Sequence, residues 1–165
     1  MKVIAAGAVL SGLLRAGSVA RAADVVCEAE DAQFDAARAE VVSHEAFRGR
    51  KGVALKPGLA DGSNAVADIV FTVRVPQAGR YSLSTTAAVT EEAALRMRAA
   101  RSKHESLFAT FQVGSQRPTR RVVFVPWGDP KLCWQHSGVF TWSGTQQEVR
   151  VGLPAGVRLD RLEAN

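Results

Sequence analysis

Hydrophobic residues recur at every second position through much of this chain, the period of a half-buried β-strand. Ala67, Ile69, Phe71, Val73 and Val75 form the clearest run, with Asp68, Thr72 and Arg74 between them. Leu107, Ala109, Phe111 and Val113 repeat the pattern, as do Val149, Val151 and Leu153. Tyr81, Leu83 and Thr85 alternate with Ser82 and Ser84. Shorter runs at 25–30, 41–44, 52–56, 121–125, 138–142 and 157–162 bring the expectation to about ten short strands. Pro76-Gln77-Ala78-Gly79 and Pro154-Ala155-Gly156 separate alternating runs. Proline ends a ladder and presets φ, while glycine takes the left-handed position of a tight turn. Such strands, without βαβ spacing, predict an all-β fold, an antiparallel β-sandwich or jelly roll.

One stretch departs from the alternation. Thr90 to Ser106 is rich in helix formers, acidic at its start and basic at its end. Its apolar residues, Ala93, Ala94, Leu95 and Met97, make only a thin stripe. A long exposed loop inserted between strands is expected there, with room for a helical turn or two.

The start of the chain changes the charge picture. Val3 to Leu14 is apolar and uncharged, Lys2 precedes it, and Ala20-Arg21-Ala22 has the small-x-small form of a cleavage site. Residues 1–22 are read as a signal peptide too short to span a bilayer. Residues 23–165 are read as one domain, secreted to an extracellular or periplasmic space. Without Lys2, Arg15 and Arg21, the net charge falls from +5 to +2, with 18 basic against 16 acidic residues. That bias is too weak to argue for nucleic acid or an anionic membrane. A monomer is compatible with these features. In an oxidising compartment a disulfide between Cys27 and Cys133 is permitted, two buried thiols being the other reading.

Catalytic signatures are missing. His44, His104 and His136 sit in unrelated segments without metal-ligand spacing. No G-x-S-x-G elbow, C-x-x-C pair or phosphate-cradling glycine loop occurs. Catalysis by this chain alone is not expected.

Three motifs carry a family resemblance in order along the chain. The first is Val25-Val26-Cys27-Glu28-Ala29-Glu30-Asp31, and the second is Phe71-Thr72-Val73-Arg74-Val75-Pro76-Gln77-Ala78-Gly79-Arg80-Tyr81-Ser82-Leu83. The third is Leu153-Pro154-Ala155-Gly156-Val157-Arg158-Leu159-Asp160-Arg161-Leu162. Together they resemble the calcium-containing β-sandwich carbohydrate-binding modules of families six and thirty-five, within the galactose-binding-like domains. The resemblance implies a structural calcium ion held by the residues here numbered Glu28, Glu30 and Asp160, with a carbonyl from the segment Arg50-Lys51-Gly52. The residue chemistry agrees. Carboxylates two apart on a strand point to the same side and can converge on a hard cation that takes six to eight oxygens. The alternative is that Glu28 and Glu30 face water on an edge strand.

The resemblance also implies a polysaccharide or glycan as partner. Sugar rings need a flat apolar platform and a few polar groups. The candidates lie along Pro126-Trp127-Gly128-Asp129-Pro130-Lys131-Leu132-Cys133-Trp134: Trp127 and Trp134 as platforms, Asp129 and Lys131 as hydroxyl partners. Trp134 has an alternative reading, packed inward beside Cys133. Trp142 shares strand parity with Phe140 and is expected in the core or as a shelf beneath the loop. The turn Pro154-Ala155-Gly156 lacks the aromatic or asparagine that such modules often place before their last strand. A secreted adhesion or protein-interaction domain is therefore the second reading.

Overall fold

The computed structural model describes residues 25–59, 66–99, 106–125 and 130–165. The signal-peptide segment, Trp127, Asp129 and His104 lie outside them. Among the described residues the strands are β1 (Val25–Glu28), β2 (Gln33–Phe34), β3 (Ala39–Ser43), β4 (Lys51–Leu55), β5 (Val66–Arg74) and β6 (Gly79–Val89). Helix α1 (Glu91–Ala99) follows, and then β7 (Leu107–Val113), β8 (Thr119–Phe124), β9 (Cys133–Trp142), β10 (Gln146–Pro154) and β11 (Val157–Ala164). They form two antiparallel sheets. One runs β3-β4-β11-β6-β9 with β1 also on β11, and the other runs β2-β5-β10-β7-β8.

The core lies where the alternation puts it. Ala67, Ile69, Phe71, Val73 and Val75 are buried, as are Ala109, Phe111, Val113, Val149, Val151 and Leu153. Asp68, Thr72 and Arg74 face out. The two inward faces interdigitate as in other β-sandwiches. Trp142 belongs to this core, 1% exposed and edge-on to Tyr81 with ring centroids 5.4 Å apart. No helix among the described residues is long and apolar enough to cross a membrane.

Two expectations are corrected and one open alternative is decided. Residues 91–99 form a nine-residue helix, where a long exposed loop was expected. Thr90 caps it, its Oγ1 accepting from the Ala93 N–H at 3.3 Å and its carbonyl from Ala94 at 3.0 Å. Ala93, Ala94 and Met97 are buried despite the narrow stripe. Small residues allow this, because a Cβ on Gly156 would come within 2.6 Å of the Ala93 Cβ. Second, the first strand stops at Glu28, and Ala29–Asp31 is a single 3₁₀ turn, so Glu28 and Glu30 do not share a strand face. Third, of the two readings left open for Cys27 and Cys133, the one without a disulfide holds. Cys27 pairs with Leu162 on β11, Leu162 with Thr85 on β6, and Cys133 lies on β9 beyond β6. Three strand spacings separate the thiols by about 14 Å, far beyond the reach of an S–S bond.

Candidate functional site

Two places gather the chemistry. The first is a gap along one side of β11. β6 accompanies β11 along its length, but on the opposite side β4 pairs only with Arg158 and Leu159, and β1 only with residues 161–164. Asp160 falls between them. It is the extra residue of a β-bulge, since Leu159 pairs with Ala87 and Arg161 with Thr86. A bulge changes the side to which a strand's residues point. Leu159 is buried before it, Leu162 and Ala164 after it, and Asp160 itself is 0% exposed. The chain leaving β1 turns through Ala29–Asp31 beside this gap, bringing Glu28 and Glu30 to it. The loop 44–50 covers them: the Arg48 backbone N–H donates to the Asp160 carboxylate, and a Cβ on Gly49 would stand 3.0 Å from Glu30 Oε1.

This corner has unmet electrostatic demand. Glu28 Oε2, Glu30 Oε2 and Asp160 Oδ1 are buried without a hydrogen-bond partner. Burial pushes the Asp160 carboxyl up to about 6; Arg161 opposes the shift, and the charges of Glu28 and Glu30 add to it. Arg161 Nη1 donates to Asp160 Oδ2 at 2.9 Å, and its Nε donates to Glu163 Oε1 at 2.6 Å. An all-oxygen, anionic donor set fits a hard cation in kind. Among the described residues, however, no three such side chains stand close enough to hold a metal as they lie. The Arg50 carbonyl already accepts the His44 N–H at 3.0 Å, from a left-handed backbone at φ 57°. Sequence reasoning missed Arg161, whose only local signal is its place beside Asp160.

The second place is the outer side of β9. Trp134 is 58% exposed while neighbouring Cys133 is buried, so the inward alternative for Trp134 does not hold. Parity explains why Trp134 and Trp142 differ. Both are even-numbered residues of one strand, but Ser137 is an extra residue in the β6–β9 pairing, which passes from Leu83↔Gly138 to Ser84↔His136. Gly138, at φ 125°, accommodates the bulge. Before it the even residues face out, and after it Phe140 and Trp142 face in. Lys131 is exposed just ahead of the strand. The Val89 N–H donates to the Pro130 carbonyl at 2.7 Å, and the Thr90 N–H to the Gly156 carbonyl at 2.8 Å. Pro130, three residues before β9, thus lies at the sandwich end where α1 meets the β10–β11 turn. A cavity of about 360 Å³ opens at that end, between Lys56, Pro57, Glu92, Arg96 and Ala155. A larger groove, about 440 Å³, crosses the outer face of the second sheet beside the Arg150–Asp68 ion pair, with half-buried Phe34 as its aromatic residue.

Comparison with known proteins locates the fold. No family model matches the chain, and no curated protein matches it. Among solved structures, a family 35 carbohydrate binding module from Clostridium thermocellum superposes with a TM-score of 0.61 at 19% identity. That match covers 84% of this chain and 96% of the module. The Podospora anserina GH26-CBM35 β-(1,4)-mannanase matches with a TM-score of 0.63 at 15% identity, over 86% of this chain and 27% of the enzyme. The Phanerochaete chrysosporium exo-β-1,3-galactanase matches with a TM-score of 0.62 at 13% identity, over 86% and 29%. This chain shares the β-sandwich fold of these structures. It spans under a third of those enzymes and nearly all of the isolated module.

Proposed function

We propose that this chain is a secreted, non-catalytic module that binds a polysaccharide or glycan, with a structural calcium ion at the β11 gap. The observation that carries the reading is Trp134, an indole more than half exposed on the rigid strand β9. A flat aromatic surface stacks on the C–H face of a pyranose, and a strand fixes its angle better than a loop does. Lys131, exposed just ahead of the strand, would complete the surface. The solved neighbour that this chain matches along nearly its whole length is itself a binding module. Hydrolysis would require two carboxyl groups flanking an open glycosidic bond. The oxygens of Glu28, Glu30 and Asp160 are instead partly sealed inside the protein.

The three orphaned oxygens support calcium by their chemistry, and the side chains would have to draw together around it. Glu28, Glu30 and Asp160 would hold it, and its charge would offset the burial, and the lesser repulsion from Glu28 and Glu30, that lift the Asp160 pKa. Its role would be to tie the first strand and the 44–50 loop to the last strand. The decisive experiment is a glycan array read with calcium and with chelator, on wild type and Trp134→Ala. Binding that the variant loses supports the reading; no saccharide bound in calcium refutes it. A protein partner is the second reading, favoured by Leu132 and Val139, which are 45% and 50% exposed on or beside the same edge strand. A strand edge bearing apolar side chains suits an extended peptide as well as a sugar.

A further inference from the structure

The β11 gap contains a positive charge of its own. Arg161 donates to the carboxylates on both sides of it, Asp160 and Glu163. It stands opposite Glu28 in the β1–β11 pairing and opposite Thr86 in the β6–β11 pairing. Its side chain is 22% exposed, so water screens these interactions only partly. Asp160 gives one oxygen to the guanidinium while the other stays buried and unpartnered.

We propose that Arg161 is a resident competitor for the cation site: its guanidinium occupies Asp160 Oδ2 and thereby sets how tightly the carboxylates of Glu28, Glu30 and Asp160 take up a divalent cation. The proposal rests on the reading of these carboxylates as a cation cage. Two physical effects act together. A fixed positive charge within a few ångströms of an incoming cation raises its energy. A cation that engages both Asp160 oxygens must also break the 2.9 Å bond to Arg161.

Glu163 makes the exchange feasible. A guanidinium released into a buried corner without a partner would cost far more than the bond it lost. Arg161 keeps its 2.6 Å bond from Nε to Glu163 when Asp160 turns to the metal. The corner therefore has two arrangements in which Arg161 keeps a partner, one closed by the guanidinium, with three carboxylate oxygens still unpartnered, and one closed by the cation. It follows that the chain folds without metal and that calcium adds stability to an already folded sandwich, in contrast to sites whose metal is required for folding.

Calorimetric titration with calcium chloride tests this on wild type, Arg161→Gln and Arg161→Lys, beside melting curves recorded in chelator. Arg161→Gln is expected to bind calcium about tenfold more tightly or better, and to melt lower than wild type in chelator. Arg161→Lys keeps the charge and is expected to stay near the wild-type affinity, which separates charge from packing. Should the glutamine variant fail to fold, Arg161→Met, which keeps the apolar stem, replaces it. Unchanged or weaker calcium binding in the neutral variant, with wild type binding, overturns the role of Arg161 and leaves the cage standing. Absence of binding heat in every variant removes the cage and the proposal together. A wild type that unfolds completely in chelator also overturns it, since the guanidinium would then not hold the corner.

Discussion

Strands β9 and β11 use the same device to opposite ends. Each has one extra residue, Ser137 in β9 and Asp160 in β11, and each changes face there. In β9 the change leaves Trp134 in solvent while Trp142 fills the core. In β11 it brings a carboxylate into the interior, where oxygens from three acids lack partners. One bulge exposes an apolar group that a soluble strand would ordinarily hide, and the other hides a charge that would ordinarily be exposed. Both results run against the hydrophobic effect, and departures of that kind tend to mark sites of function.

The largest expected break in this comparison is Trp142→Ala, which removes the bulkiest wholly buried side chain and should cost about 3–5 kcal/mol of unfolding free energy in a denaturant titration. Trp134→Ala, on the same strand, should stay within about 0.5 kcal/mol of wild type. Equal costs would mean that the β9 bulge does not separate the two residues. Calcium comes next. At a hundredfold excess over its dissociation constant it should add about 2.7 kcal/mol, seen as a rise in melting temperature that chelator reverses and Asp160→Asn abolishes.

In chelator, the pH dependence should have an unusual sign. The folded-state pKa of Asp160 is raised to about 6, above its unfolded value, so the folded state binds its proton more tightly. Its contribution to stability is fully present at acid pH and is lost as pH rises from the unfolded carboxylate value through about 6. Calcium, which needs the ionised carboxylate, should reverse that trend above pH 6, and melting temperatures across pH 4–8 with and without the ion would show it. Gly138→Val forces a β-branched residue to φ 125° and should cost about 1–3 kcal/mol, sharpening the claim that the bulge depends on glycine. The smallest effect on folding belongs to Trp134→Ala, whose expected signature is a roughly tenfold loss of glycan affinity, measured by calorimetry against whichever saccharide the array identifies.

Much of the fold could be read from residue order. The strands containing Ile69, Phe111 and Val151 show their inward faces directly, because burial on one side of a pleated strand imposes period two on the local sequence. Asp160 came into view through resemblance, while its burial beside unpartnered oxygens of Glu28 and Glu30 is visible only in the structure. The helix at 91–99 was underestimated, since Ala93 and Ala94 look too small to anchor a helix until Gly156 is seen to let them approach. The two-residue strand β2 and the 3₁₀ turn at Ala29–Asp31 are too short to produce a period at all.

The sequence by itself determined the two-sheet, all-β character of this protein, the identity of most core residues and the turns between strands. Those follow from neighbours within a few positions, where backbone geometry and side-chain alternation are coupled. Tertiary structure alone decided which tryptophan is exposed, that Cys27 and Cys133 stand three strands apart, and that Arg161 shares the carboxylate corner with Glu28. Each depends on the register between strands distant in sequence, and a single inserted residue such as Ser137 or Asp160 reverses the facing of everything beyond it.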